Sequence, residues 1–371
     1  NGATPAAHVQ TFTGPSGNGS YTVRPGQTPL DPTFKDTRLA GSATWTHLLG
    51  RLSQSTLGAN LSAERDYTSV GISGGITRDL AMRNTTLAAG LSLAHDTVRP
   101  KGGTPIAFTP LGTSVGGGRE GDDFAGSGLS LAAGEDDGGE GGLGPGGPSR
   151  GKNVVDALVG VTQVLDRATI ARVNYSLGYT SGYLTDPYKI LSVVQAQGDT
   201  DPGEPVQYLY EHRPDRRTRR SVYGEIRRMI ASDVATASYR YYWDSWSVRS
   251  STVDVHFSHR LNENTAVEPH FRHYHQDQAD FYTRFLVAGR TLPHFASSDY
   301  RLGTFTANTY GLQVTHALDS GVTLRFGLEY YLQQGDSSPP GAFGSLARQN
   351  LFSDVSAWMV RVGATLPVKG W

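Results

Sequence analysis

The chain has 371 residues, a formal net charge of −1 and no cysteine, which removes the electrostatic case for a nucleic-acid partner and excludes disulfides and thiol chemistry. Glycine stands at 46 and aromatics at 10%, and no run of roughly 18 apolar residues exists, so a helical membrane span is excluded. A mean hydropathy of −0.37 would suggest a soluble protein, but a β-barrel evades that test because only every second residue faces lipid.

Residues 1–36, rich in Gly, Pro, Thr and Ser, read as an outer-loop remnant or N-terminal tail. Beyond them the chain repeats segments of about ten alternating residues, with turns that are short and long by turns, the layout of a porin-like barrel. The first strand is expected at 37–48, with Leu39, Gly41, Ala43 and Trp45 on one face and Arg38, Ala40, Ser42 and Thr44 on the other. The next, at 54–65, turns Leu57, Ala59, Leu61 and Ala63 outward. Val70, Ile72 and Ile76 do so at 67–78, and Leu87, Ala89, Leu91 and Leu93 at 84–96. A long insertion follows at 97–151. Two further strands carry Val155, Ala157, Val159 and Val161, then Val173, Tyr175, Leu177 and Tyr179.

A second insertion covers 182–218. The pair at 220–230 and 233–244 sets Ala237, Tyr239, Tyr241 and Trp243 against Ser238, Arg240, Tyr242 and Asp244. A hairpin at 248–260 and 264–276 turns on Asn262-Glu263-Asn264. A third loop spans 277–303, and the hairpin at 304–317 and 321–334 turns on Asp319-Ser320-Gly321. There Val322, Leu324, Phe326, Leu328, Tyr330 and Leu332 form one apolar face. A fourth loop fills 335–353 and a last strand 354–368. Soluble sandwiches and solenoids also alternate, but their strands average about five or six residues, shorter than these. The fold class expected is therefore all-β: a transmembrane antiparallel up-and-down barrel over 37–371.

The chain ends Arg361-Val-Gly363-Ala-Thr-Leu366-Pro-Val368-Lys-Gly-Trp371. A polar residue, a glycine and alternating apolar residues before a terminal aromatic are similar to the signal by which outer-membrane barrels are recognised for insertion. Arg361, Gly363, Leu366, Val368 and Trp371 are its candidates, and Pro367 is tolerable at a strand end. About thirteen strands are visible, whereas single-chain bacterial barrels have even numbers. Two accounts stand: strands that precede Asn1, bringing the total to about 14–16, or one extra strand within 8–24. The first is favoured, since no initiator Met or signal peptide is present.

Seven passages carry a family resemblance. They are Asn84-Thr-Thr-Leu87, Val161-Thr-Gln-Val-Leu165, Gly182-Tyr-Leu-Thr-Asp-Pro-Tyr-Lys189, Arg213-Pro-Asp-Arg-Arg-Thr-Arg219, Tyr239-Arg-Tyr-Tyr-Trp-Asp-Ser-Trp246, Ala279-Asp-Phe-Tyr282 and Ala296-Ser-Ser-Asp-Tyr-Arg-Leu302. In this order they resemble a family of Gram-negative outer-membrane proteins known only as domain of unknown function 3570. The resemblance implies an outer-membrane barrel, extra strand-like sequence before this chain's start, and a link to a small lipoprotein and a redox-related envelope system. It brings no catalytic residues.

Alternation assigns Glu225, Arg227, Arg240, Asp254, His256, Glu268, His270, Arg272, Arg325 and Glu329 to the lumen. A three-residue turn would pair Arg260 with Asn264, His256 with Glu268 and Asp254 with His270. Two readings stand: a salt-bridged interior that narrows the barrel, or a selectivity ring for charged solutes. His259, His273 and His275 fall on the outer face and divide the histidines, so no metal site is expected. Glu120, Asp122, Asp123, Glu135, Asp136, Asp137 and Glu140 lie in a glycine-rich stretch without a calcium-binding repeat, the pattern of a surface loop. Trp45, Tyr239, Tyr241, Trp243, Trp246, Tyr330 and Trp358 are expected in interfacial aromatic girdles. Arg213, Arg216, Arg217, Arg219 and Arg220 either contact lipopolysaccharide phosphates or take a solvated or loop-pairing role.

No nucleophile elbow, zincin or haem motif is present, so neither enzyme activity nor a cofactor is expected. The reading is a porin-like channel or transport protein for a small solute. The alternative is a barrel anchor with a plugged lumen for envelope partners. Lipid, lipopolysaccharide and the barrel-assembly machinery are the partners either requires, with a small lipoprotein or redox protein as a further one.

Overall fold

A computed structural model describes residues 3–14, 16, 19–32, 35–113, 149–337, 341–352 and 354–367. In chain order the strands are β1 (Gln10–Thr13), β2 (Ser20–Val23), β3 (Leu39–Leu49), β4 (Ser53–Ala63), β5 (Tyr67–Leu80), β6 (Thr85–Val98), β7 (Gly112–Thr113), β8 (Arg150–Asp166) and β9 (Thr169–Gly182). They continue with β10 (Ile190–Val194), β11 (Pro205–Tyr210), β12 (Arg216–Ile230), β13 (Asp233–Asp244), β14 (Arg249–Arg260), β15 (Thr265–Gln276), β16 (Phe285–Val287), β17 (Phe305–Ala317), β18 (Thr323–Gly335) and β19 (Val355–Thr365).

Thirteen of them form one antiparallel sheet in which each strand pairs with the next wall strand along the chain, from β3 at one edge to β19 at the other. Wall strands run from 11 to 17 residues, well beyond the five or six usual in soluble sheets. The sheet curves, since a single cavity is lined from Ser73 on β5 across to Tyr242 on β13. This is the all-β, up-and-down barrel sheet that the alternation predicts, open between β3 and β19.

The two-residue period of a strand sends alternate side chains to opposite faces. On the convex face Ile72, Leu93, Val155 and Tyr179 lie side by side across four strands, and Leu312, Leu328 and Val360 across three more. Among the described residues none covers this belt: Ile72 remains 59% exposed and Val159 54%. Among the described residues no helix is long and apolar enough to cross a membrane.

At one end the wall strands join by short turns. Gly321, at φ 82, adopts the left-handed backbone that closes the β17–β18 turn. The β14–β15 turn differs from the three-residue loop expected. Asn262 Oδ1 accepts from the N–H groups of Asn264 and Thr265, and Arg260 pairs with Ala266. The register therefore moves by two residues, so His256 faces His270 and Asp254 faces Arg272. The ladder skips Phe257 and Ser258, where Pro269 on β15 has no N–H to offer.

The other end carries the long connections, and these fold into a cap with buried cores of its own. Strands β2, β1 and β7 make one small sheet, and β11, β10 and β16 another. Ala3, Phe12, Tyr21, Leu111, Ile190, Tyr208 and Tyr210 pack as one cluster. Residues within 8–24 thus belong to the cap rather than forming an extra wall strand. Thr4 N donates to Ser192 Oγ at 2.7 Å, and Tyr208 Oη donates to Thr4 O at 3.1 Å.

A second cluster joins Trp246, Val248, Ala279, Tyr282 and Leu302. Trp246 was expected in a girdle, but it is 4% exposed. Its parity is that of inward Tyr242 and Asp244, and β13 ends at Asp244, so the tryptophan lies beyond the wall and off its outer face. Its indole N–H donates to Arg216 O at 2.9 Å, and the Arg217 guanidinium lies 4.2 Å from its ring centre. Trp246→Ala should weaken the cap by about 3–5 kcal/mol. Hydrogen exchange would then rise in 277–304 while the wall strands keep their protection; unchanged exchange there would contradict this packing.

Candidate functional site

The concave face of the wall is polar, and the register places every expected lumen charge on it. Arg227, Thr236, His256, His270, Gly311, Glu329 and Met359 form one row across β12–β19. The next row carries Glu225, Ser238, Asp254 and Arg272. Cavities of about 570, 540 and 530 Å³ lie along this face. Arg240 borders the first two and Arg272 the last two.

The densest cluster forms around His256 and His270, whose rings stack with centroids 4.1 Å apart and planes 8° from parallel. His256 Nε2 lies 2.8 Å from Asp254 Oδ1, and its Nδ1 lies 3.2 Å from Glu268 Oε1. His270 Nε2 lies 3.2 Å from Asp254 Oδ2, and its Nδ1 lies 3.6 Å from Glu329 Oε1. The pairs expected as direct neighbours thus meet diagonally, because the two-residue register change keeps both faces intact. Arg361, expected only as part of the insertion signal, sits on this face with Nη2 2.6 Å from Glu329 Oε2. Gly363 lies opposite Arg325. Other charges stay apart from the cluster: Glu225 accepts from Tyr223 Oη at 2.5 Å, and Arg325 Nη1 donates to Thr365 Oγ1 at 3.2 Å. Sequence reading missed several inward ion pairs, among them Arg219 Nη2 to Asp156 Oδ1 at 3.0 Å; two opposite charges on inward positions of neighbouring hairpins were the available signal.

On the convex face Trp45 lies toward the short-turn end, while Tyr239, Tyr241, Trp243 and Trp358 lie toward the long-connection end. Tyr241 stacks on Trp243, and Tyr330 lies tilted against Trp358 with ring centroids 4.7 Å apart. Val368, Trp371 and the seven acidic residues between Glu120 and Glu140 fall outside the described residues.

The arginine run does not act as one patch. Arg216 and Arg220 share the convex face with Val222, as the register with β9 requires. Arg217 turns inward to Asp244, with Nε 2.7 Å from Oδ2. Arg213 is drawn into the cap, where Nη2 donates to Asp299 Oδ2 at 2.8 Å and to Glu211 Oε2 at 3.1 Å. Three buried carboxylates, Asp244, Asp299 and Glu211, thereby hold Arg213 and Arg217 away from any lipid phosphate.

The cap network brings together three of the passages that carry the family resemblance. Arg301 binds Asp299 through Nε at 2.8 Å and reaches Asp186 Oδ2 at 2.8 Å through Nη2. Lys189 Nζ lies 3.8 Å from Asp299 Oδ1. Asp186 N donates to Glu211 Oε1 at 2.7 Å, and Ser297 Oγ donates to the same carboxylate. Burial alone would raise Asp299, but hydrogen bonds from Arg301 and the charges of Arg213 and Lys189 hold it far below the usual carboxylate range. Burial pushes Glu211 the other way, and Arg213 and Ser297 offset this only in part.

A depressed native pKa gives Asp299 a stabilising role that is complete above its unfolded value of about 3.9 and fades as pH falls toward the native one. The raised Glu211 has the opposite sign, its ionised form being the less favoured in the fold. Proteolysis of the cap should therefore begin below about pH 4 in the native protein. At neutral pH, Asp299→Asn should leave Arg213 and Arg301 short of a partner and cost about 3–5 kcal/mol, seen as cleavage within 183–215 and 277–304. A variant as resistant as the parent would show that this carboxylate does not hold the cap.

Over residues 1–366 the chain matches the family described as "Protein of unknown function (DUF3570)". No curated protein matches it. Among solved structures it is similar to the siderophore receptor PirA from Acinetobacter baumannii, at 10% identity and TM-score 0.44, covering 87% of this chain and 47% of that one. It is also similar to a mutant of the ferric enterobactin receptor PfeA from Pseudomonas aeruginosa, at 12% identity and TM-score 0.45, covering 88% and 45%. BamA from Haemophilus ducreyi follows at 9% identity and TM-score 0.36, covering 88% and 62%. The chain spans about half the length of the two receptors.

Proposed function

The chain belongs to the DUF3570 family, and we propose that it forms a bacterial outer-membrane barrel acting as a capped channel for a small charged solute, without enzymatic activity. The observation that carries this reading is the series of cavities along a concave face lined by Arg240, Asp254, His256 and Arg272. A polar interior behind an apolar belt is what a water-filled barrel requires. In this orientation the short turns face the periplasm and the cap faces outward, with lipid against the belt and lipopolysaccharide beside Arg216 and Arg220.

A second reading has its own support. The cap has buried cores like those of a small soluble domain, which suits an anchor with a closed lumen for a lipoprotein or redox partner. Conductance of the full-length protein in planar bilayers separates the two. The channel reading expects steady single-channel steps, with Arg272→Glu shifting the reversal potential toward cation selectivity. Absence of current from folded protein would leave the anchor reading.

The lipid assignment has a separate test. Leu328 sits near the middle of β18 on the convex face, so Leu328→Arg should cost about 2–4 kcal/mol in urea-dependent insertion into vesicles. A near-zero cost would remove the membrane assignment.

A further inference from the structure

We propose that the concave wall holds a site for one divalent first-row transition-metal ion, bound by Nε2 of His256, Nε2 of His270 and a carboxylate oxygen of Asp254. These three side chains bring ligating atoms to within 4.8 Å of one another. The stronger argument is what lies behind them. Each imidazole stands between two carboxylates: His256 between Asp254 and Glu268, His270 between Asp254 and Glu329.

A neutral imidazole carries one N–H and one lone pair. With its Nδ1–H on Glu268, His256 turns its Nε2 lone pair toward Asp254 Oδ1, and His270 Nε2 faces Oδ2 of the same carboxylate. The rings are stacked nearly parallel, so a cation beside Asp254 meets both Nε2 atoms once the rings turn toward it. His256 has the arrangement of a metal-binding histidine, whose second ring nitrogen donates to a carboxylate that orients the ring; His270 Nδ1 is buried without a hydrogen-bond partner, 3.6 Å from Glu329 Oε1. Protons are the other way to satisfy the cluster. They would place two like-charged rings 4.1 Å apart, whereas one metal ion serves both rings.

Charge and space agree with this assignment. Asp254, Glu268 and Glu329 supply three negative charges, against Arg361 on Glu329 and Arg272 across the register from Asp254. Two imidazoles and a carboxylate suit zinc, copper, nickel or iron(II) rather than the all-oxygen shells of calcium and magnesium. The adjoining cavity of about 530 Å³ leaves a position open to water or a solute. Room for the rings to turn comes from Gly311. A Cβ there would lie 3.0 Å from Glu329 Cγ and 3.2 Å from His270 Nδ1.

The test is zinc titration of the full-length, chelator-treated protein in detergent, with magnesium as the control ion and cobalt(II) absorption as a second readout. One zinc per chain is expected, with His256→Ala and His270→Ala each abolishing it and Glu268→Gln weakening it by about 10–100-fold. His273→Ala, on the convex face, should bind like the parent. Two results overturn the proposal: no zinc uptake by the parent protein, or parent-like uptake by the His256→Ala/His270→Ala double variant. Heat-modifiable migration confirms that each variant is folded. Binding is read without any current, so a barrel that takes up zinc but does not conduct refutes the channel and leaves this site standing.

Discussion

One constraint organises the molecule: a wall strand gives its backbone hydrogen bonds to its two neighbours and leaves its side chains only two directions to take. Where one direction is apolar and the other polar, pairing and partition become the same event. The consequence is visible in rows that cross many strands, such as the one from Ile72 to Tyr179 on the outside and the one from Arg227 to Met359 on the inside. Energetically the belt resembles a hydrophobic core turned outward, with the surrounding medium in place of a second layer of protein.

The cap obeys a different rule. Its strands are short, its sheets have three members each, and its stability comes from buried aromatic packing and charged pairs enclosed by protein. Asp299 shows how far this goes: it is surrounded by Lys189 and Arg213 from the β9–β12 connection and by Arg301 from its own. Asp244 does similar work at the β13–β14 corner, where its Oδ1 accepts from the N–H groups of Trp246 and Val248. Such a cluster resists opening because most of its polar atoms taken out of water have a specific partner to lose.

Legibility in the sequence follows this division. The wall could be read because a period of two repeats over ten or more residues and cannot be mistaken for a helix. Inward charges such as Glu225 and His270 followed from the same parity. What escaped reading was set by non-periodic contacts. The β14–β15 register depended on an asparagine side chain capturing two backbone groups, which residue spacing does not reveal. Trp246 was misplaced because residue type alone suggested a girdle, although its parity matches inward Tyr242 and Asp244 and β13 ends before it. The strands β10 and β11 were passed over as loop, since they are defined by burial among distant residues rather than by a pattern of their own. The histidine cluster was half visible: its members were named, but their convergence on Asp254 depended on that same turn.

The register change at β14–β15 also bears on how such a wall can vary in length during evolution. Sliding by two residues leaves inside and outside unchanged, as the diagonal contacts of His256 and His270 illustrate. Sliding by one exchanges them along the whole strand. Insertions and deletions inside wall strands should therefore be inherited in even numbers, or be absorbed by a bulge such as the one between Val164 and Asp166. The cap connections are under no such arithmetic and are free to gain or lose residues singly.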